Sequence, residues 1–164
     1  MACQFSGDDV LDLIAVRGPA PNERGFTVIE LLVVSLIIGI LIAIAVPAFA
    51  GAQQRANDRS AQTLLRHGLA AQKIVYTEIL RYADDSAGAL TGIEPGLVYE
   101  SGMTPSTPGR VAVGLSGNDI VYLSGKSKTG TCFYLVDDAL SGTGYAQDDL
   151  CGAADTQSYV TNGW

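Results

Sequence analysis

One carboxylate, Glu30, stands at the entrance of a long apolar run, and its position needs a chemical reason. Residues 24–50 read RGFTVIELLVVSLIIGILIAIAVPAFA. Between Glu30 and Gln53 lie 22 residues without a charge, and Ser35 alone among them has a polar side chain. As a helix this stretch would be roughly 33 Å long, enough for the hydrocarbon core of a bilayer. An ionised carboxylate drawn to the centre of such a span costs about 2.5–3.5 kcal/mol. A cationic partner would offset that cost, because opposite charges attract strongly at low dielectric, although desolvation cancels part of the gain. Gly39 and Pro47 also fall inside the run. Glycine weakens a helix, and proline removes a backbone N–H and strains the preceding turn.

The order Gly25-Phe26-Thr27-Val28-Ile29-Glu30 resembles the processing motif of type IV prepilins and of the related type II secretion pseudopilins. Arg24 supplies the basic residue that usually precedes the glycine. The resemblance covers about thirty residues and implies several roles. A dedicated prepilin peptidase would cut after Gly25 and methylate the new amine of Phe26. Glu30 would recognise the N-terminus of a neighbouring subunit during filament assembly. The helix would loosen between Gly39 and Pro47 in the assembled fibre. The implied function is a structural subunit of a type IV pilus, anchored in the inner or plasma membrane as a single-pass precursor and then displayed as an extracellular filament. Its implied partners are further copies of itself, the peptidase, an inner-membrane assembly platform and minor pilins. A secretion pseudopilin is the alternative. Two plainer readings explain only part of the segment. A signal anchor accounts for the hydrophobicity but not for Glu30, and a secretory signal peptide would use Ala48-Phe49-Ala50 as its cleavage site.

The implied organisation is a leader at 1–25, a membrane and filament-core helix at 26–52, an amphipathic helix at 53–82 and a globular head at 83–164. The leader is acidic for its type, with Asp8, Asp9, Asp12 and Glu23 against Arg17 and Arg24. Arg55, Arg59 and Arg66 follow the span, contrary to the positive-inside rule. Initiation at Val16 would leave a short, more basic leader and remove Cys3.

Past Gln53 the composition becomes polar. Ala61, Leu65, Gly68 or Leu69, Gln72, Val75 or Tyr76, and Ile79 recur at helical spacing, predicting a continuation of the helix with one face on a sheet. Asp84-Asp85-Ser86-Ala87-Gly88 and Thr104-Pro105-Ser106-Thr107-Pro108-Gly109 are turn chemistry, with a short strand at 96–100 between them. Residues 110–115 and 120–123 read as a hairpin about a turn at 116–119, and 131–136 as a third strand. The expected fold is therefore α+β: a long N-terminal helix packed on a small antiparallel sheet, with a C-terminal disulfide loop.

Cys132 and Cys151 enclose 18 residues. An exported head would meet an oxidising compartment, and the family commonly closes such a loop, so a disulfide is expected; two buried thiols are the alternative. It would pin the glycine-rich stretch 141–145 to the last strand. Asp137, Asp138, Asp148, Asp149 and Asp155 read as an acidic surface rather than a calcium site, since their spacing fits no EF-hand loop. His67, the single histidine, reads as a surface or groove residue. Gly125-Lys126-Ser127 imitates the end of a phosphate-binding loop, but Ile120 occupies the place of the earlier glycine. No Ser/His/Asp set, paired-carboxylate frame or metal cluster emerges, so neither enzymatic activity nor a cofactor nor a metal is expected.

The formal charge of −7 is unevenly placed. Residues 53–81 hold five basic and two acidic side chains, and residues 82–164 hold three basic and ten acidic ones. An acidic exterior disfavours nucleic acid along a shaft, and the split would let neighbouring subunits attract one another.

Overall fold

The computed structural model describes residues 25–164, so the expectations for the leader, Arg24 and a start at Val16 lie outside the described residues. Two compact units divide at Ala45 and Val46. Helix α1 is unbroken from Val28 to Ile79 and contains Pro47. In the first unit its side chains are exposed throughout. Among the described residues α1 is the helix long and apolar enough to cross a membrane.

The second unit has its own core. Ala61, Leu65, Gly68, Ala71, Gln72 and Val75 are the buried residues of α1, a stripe at three- and four-residue steps that faces a sheet. At Gly68 the helix lies close on the sheet: a Cβ there would lie 3.4 Å from Val111 Cγ1. The helix stops after Ile79 because Leu80 takes φ 52°, a left-handed conformation more usual for glycine at a helix end. Helix α2 (Ala89–Ile93) follows in the connecting segment.

The sheet has five strands in sequential order: β1 (Val98–Ser101), β2 (Arg110–Ser116), β3 (Ile120–Lys126), β4 (Cys132–Asp138) and β5 (Gly142–Asp148). Strands β2 to β5 form an antiparallel meander, while β1 adds in parallel to β2. The glycine-rich stretch 141–145, expected to be pinned to the last strand by the disulfide, instead runs into a strand of its own. Gly142–Asp148 is a full strand, with Tyr145 paired to Leu135 and also bridged to Val160. Its alternation escaped notice because Gly144 and Ala146, not large apolar residues, occupy the inward positions. Both sheet faces are covered. Val111, Val113, Val121, Leu123, Phe133 and Leu135 meet the helix, and Tyr134, Cys132 and Ala146 meet Ala154 and Tyr159 of the C-terminal segment.

Candidate assembly site

The residues singled out by type and order sit together at the start of α1. The Thr27 backbone N–H donates to Glu30 Oε2 at 2.9 Å and its hydroxyl donates to the same oxygen at 2.8 Å. In return the Glu30 N–H donates to Thr27 Oγ1 at 3.3 Å. This reciprocal pattern is a capping box: each side chain satisfies backbone donors that the first helical turn leaves open. The Thr-x-x-Glu spacing carried that signal, and the sequence reading passed over it. Glu30 is therefore held by its own chain in the isolated subunit, with its carboxylate still exposed.

On either side of it, sixteen large apolar side chains from Phe26 to Phe49 are each at least 48% exposed. Fully covering one such side chain is worth about 1.5–3 kcal/mol, so the face as a whole strongly favours lipid or another protein over water. Gly39 has open space around its missing Cβ, so nothing inside the subunit requires glycine there. Gly39 and Pro47 both lie in continuous α-helix in this single chain.

The head carries the second predicted pair. Cys132 and Cys151 form a disulfide with Cα atoms 5.2 Å apart. It closes the open end of the β4–β5 hairpin, where Cys132 faces Asp148 in register. Asp148 accepts the Leu150 N–H at 3.1 Å and the Gly152 N–H at 3.0 Å, and these bonds hold its carboxyl below the usual range. The Tyr134 hydroxyl donates to Gly152 O at 2.5 Å, and burial first, then the charge of Asp148, pushes that phenol up to about 12.

The other aspartates disperse. Asp137 is a correction to the acidic-surface reading: it lies on the helix side of β4, only 2% exposed. There it accepts the Tyr82 hydroxyl at 2.5 Å and the Thr143 hydroxyl, with Lys73 Nζ 3.4 Å away. Asp138 caps the β4–β5 turn through the Leu140 N–H, and Asp149 accepts from Thr131. Among the described residues no three His, Cys, Asp or Glu side chains are grouped to hold a metal ion. His67 is exposed beside Glu94, at 3.5 Å. Two polar clamps were missed in the sequence. Gln72, fully buried, donates to Ala83 O at 2.6 Å and accepts from Ala83 N at 3.1 Å. Asp58 accepts the Ser127 and Thr129 hydroxyls at 2.7 and 2.6 Å, tying the stem to the β3–β4 turn.

Residues 20–46 match the family described as the prokaryotic N-terminal methylation motif. The chain is 48% identical over 64 residues to the type IV major pilin protein PilA of Myxococcus xanthus; the match covers 39% of this chain and 29% of that protein. It is also 31% identical over 110 residues to the type IV wide pilus major component PilA4 of Thermus thermophilus, covering 65% of this chain and 76% of that protein. The chain belongs to the type IV pilin family. The Thermus match is longer than the N-terminal motif and the stem together, so the pilin kinship includes part of the head. Type IV pilins are structural proteins, and in this pilin the apolar part of α1 stands exposed.

Proposed function

We propose that this pilin is the structural subunit of a type IV pilus, made as a membrane-anchored precursor, cleaved after Gly25, methylated at Phe26 and polymerised. One observation carries the reading: fifteen exposed large apolar side chains between Val28 and Phe49 on one helix, with a lone carboxylate, Glu30, in its first turn, in a chain whose head is already packed. Before assembly the bilayer covers that face. In the filament the same face becomes a core shared between subunits. Glu30 then exchanges part of its capping-box role for the amine of a neighbour's Phe26, a pairing strengthened where water is excluded. Gly39 and Pro47 are the positions where the helix would loosen on packing, since the small side chain and the missing N–H weaken it there. Both relatives are named as pilus components, which favours the pilus over a secretion pseudopilin.

Electron microscopy of sheared surface material, with mass spectrometry of the fibre protein, tests this. The expected result is fibres containing this chain beginning at methylated Phe26. A mature chain starting at Gly51, or one retaining its leader, refutes the processing. Glu30→Ala is expected to leave the precursor in the membrane while abolishing fibres.

A further inference from the structure

At the end of the head farther along the helix, three turns converge around a cavity of about 280 Å³ lined by Lys73, Tyr76, Tyr82, Asp137, Asp138 and Gly142 among others. Backbone bonds hold these turns together: Tyr82 N–H donates to Asn118 O, and Ala139 N–H to Asp119 O, both at 2.9 Å. The rings of Tyr76 and Tyr82 lie 4.8 Å apart, and the Tyr76 hydroxyl donates to Asp119 at 2.9 Å. Lys73 balances Asp137, and Arg81 does not line the cavity. Asp138 and Asp119 therefore leave the pocket and its rim negative, beside two aromatic rings. Such a site suits a guanidinium, which pairs with carboxylates and stacks on aromatic faces.

Matching cations stand on the stem of the same chain. Arg55 and Arg59 are exposed, and among the described residues neither makes an ion pair. Asp58, which lies between them in sequence, is turned to Ser127 and Thr129 instead. The other stem cations nearer the head core are engaged: Arg66 lies over the Trp164 ring and Lys73 faces Asp137. Within one subunit the stem arginines cannot reach the pocket. From Arg59 or Arg55 to Tyr76 along α1 is about 26–32 Å at 1.5 Å per residue.

We infer that the Tyr76–Tyr82–Asp138 pocket receives Arg55 or Arg59 from the stem of a second copy of this pilin, fixing the axial stagger between contacting subunits. The inference rests on the filament reading above. It requires contacting subunits offset along their helices by about 26–32 Å. In a parallel stack, that offset brings the stem of the higher subunit past the far end of the lower head.

A charge swap tests it in the full chain. Arg59→Glu and Asp119→Arg, made singly, are expected to cut sheared surface fibres roughly tenfold or more, the scale of a broken close charge pair at an interface. Together they are expected to restore most of the yield. A second measurement leaves both arginines in place: Ala56→Cys with Ala139→Cys should give a ladder of multimers from fibres on a non-reducing gel. A bridge inside one subunit is excluded, because a disulfide needs Cα atoms within about 7 Å. Single reversals without effect, or no rescue together with no ladder, overturn the docking; a pocket that serves a soluble cation instead gives that result. If a reversal depletes the membrane pool of subunit, the ladder alone decides, its presence supporting and its absence overturning the inference. Wild-type surface material that lacks this chain in fibres overturns the docking and the filament reading together.

Discussion

Replacing Gln72 by methionine keeps the length of the side chain and removes both polar atoms of the amide. In the folded head that amide makes two bonds to Ala83, one to its carbonyl and one to its N–H, from a position with no exposed surface. These bonds turn the chain back from the end of α1. Tyr82, the preceding residue, then reaches Asp137; burial first, then that hydrogen bond and the charge of Asp137, raise the Tyr82 phenol above its ordinary value. Losing the amide leaves a backbone donor and acceptor without partners, at about 1–3 kcal/mol for a group that water cannot reach. Ala83 is only half-buried, so one of the two recovers part of its loss in water. Methionine regains roughly 1 kcal/mol through apolar burial. The net expectation is a loss of about 2 kcal/mol, which for a domain of this size lowers Tm on the order of 5–10 °C. Thermal unfolding of the detergent-solubilised full chain, followed by near-ultraviolet circular dichroism, reads this out. The tyrosine signal should also change below the transition, as Tyr82 loses its fixed place. A Gln72→Met chain within about 2 °C of the parent, with its tyrosine signal intact, refutes the claim that this clamp holds the return, since the loss of one buried partner alone should exceed that.

Three further outcomes are expected. Gly144→Ala would set a Cβ 2.9 Å from Tyr159 Cβ and 3.1 Å from Val136 Cγ1, a clash with rigid neighbours that should cost about 1–3 kcal/mol in urea unfolding; an unchanged midpoint would mean the C-terminal segment is not packed there. Removing the disulfide by Cys132→Ser with Cys151→Ser should cost about 3 kcal/mol for a loop of this length, checked by the same unfolding under non-reducing conditions. Asp148→Asn tests linkage. The carboxyl of Asp148 is depressed in the folded head, so its contribution is present above the ordinary carboxylate pKa of about 3.9 and is lost as pH falls through the lower folded value. The stability gap between parent and variant should therefore be constant near neutral pH and narrow below about pH 4; a gap that persists into acid would refute the capping role.

Legibility in the sequence followed the range of the interaction. The apolar run, Glu30 and the Gly25-Phe26 junction are read along one chain, because a membrane-length helix and its capping box depend on residues a few places apart. The buried stripe from Ala61 to Val75 was visible for the same reason. The hairpin at β2–β3 and the body of β4 also carried local signals in β-branched alternation and turn residues. Strand β5 did not: Gly144 and Ala146 face inward only because Tyr159 and Tyr134 supply the bulk from elsewhere in the chain. The acidic cluster misled for a related reason, since neighbours in sequence on a strand point to opposite faces, and Asp137 was carried to the core while Asp138 stayed at the turn.

By itself the sequence determined that this protein has an apolar helix needing a cover, a carboxylate at its entrance and two cysteines able to bridge. Those properties come from composition and short-range order, which no packing can alter. The tertiary structure decided which polar groups are already satisfied within the subunit. Glu30 is held by Thr27, Asp58 by the β3–β4 turn, Asp137 by Tyr82 and Lys73, and Gln72 by Ala83. What those pairings leave over, the stem arginines and the negative aromatic pocket, is a property of three-dimensional placement. Charges far apart in the chain are compensated or left open only when folding fixes the distances between them.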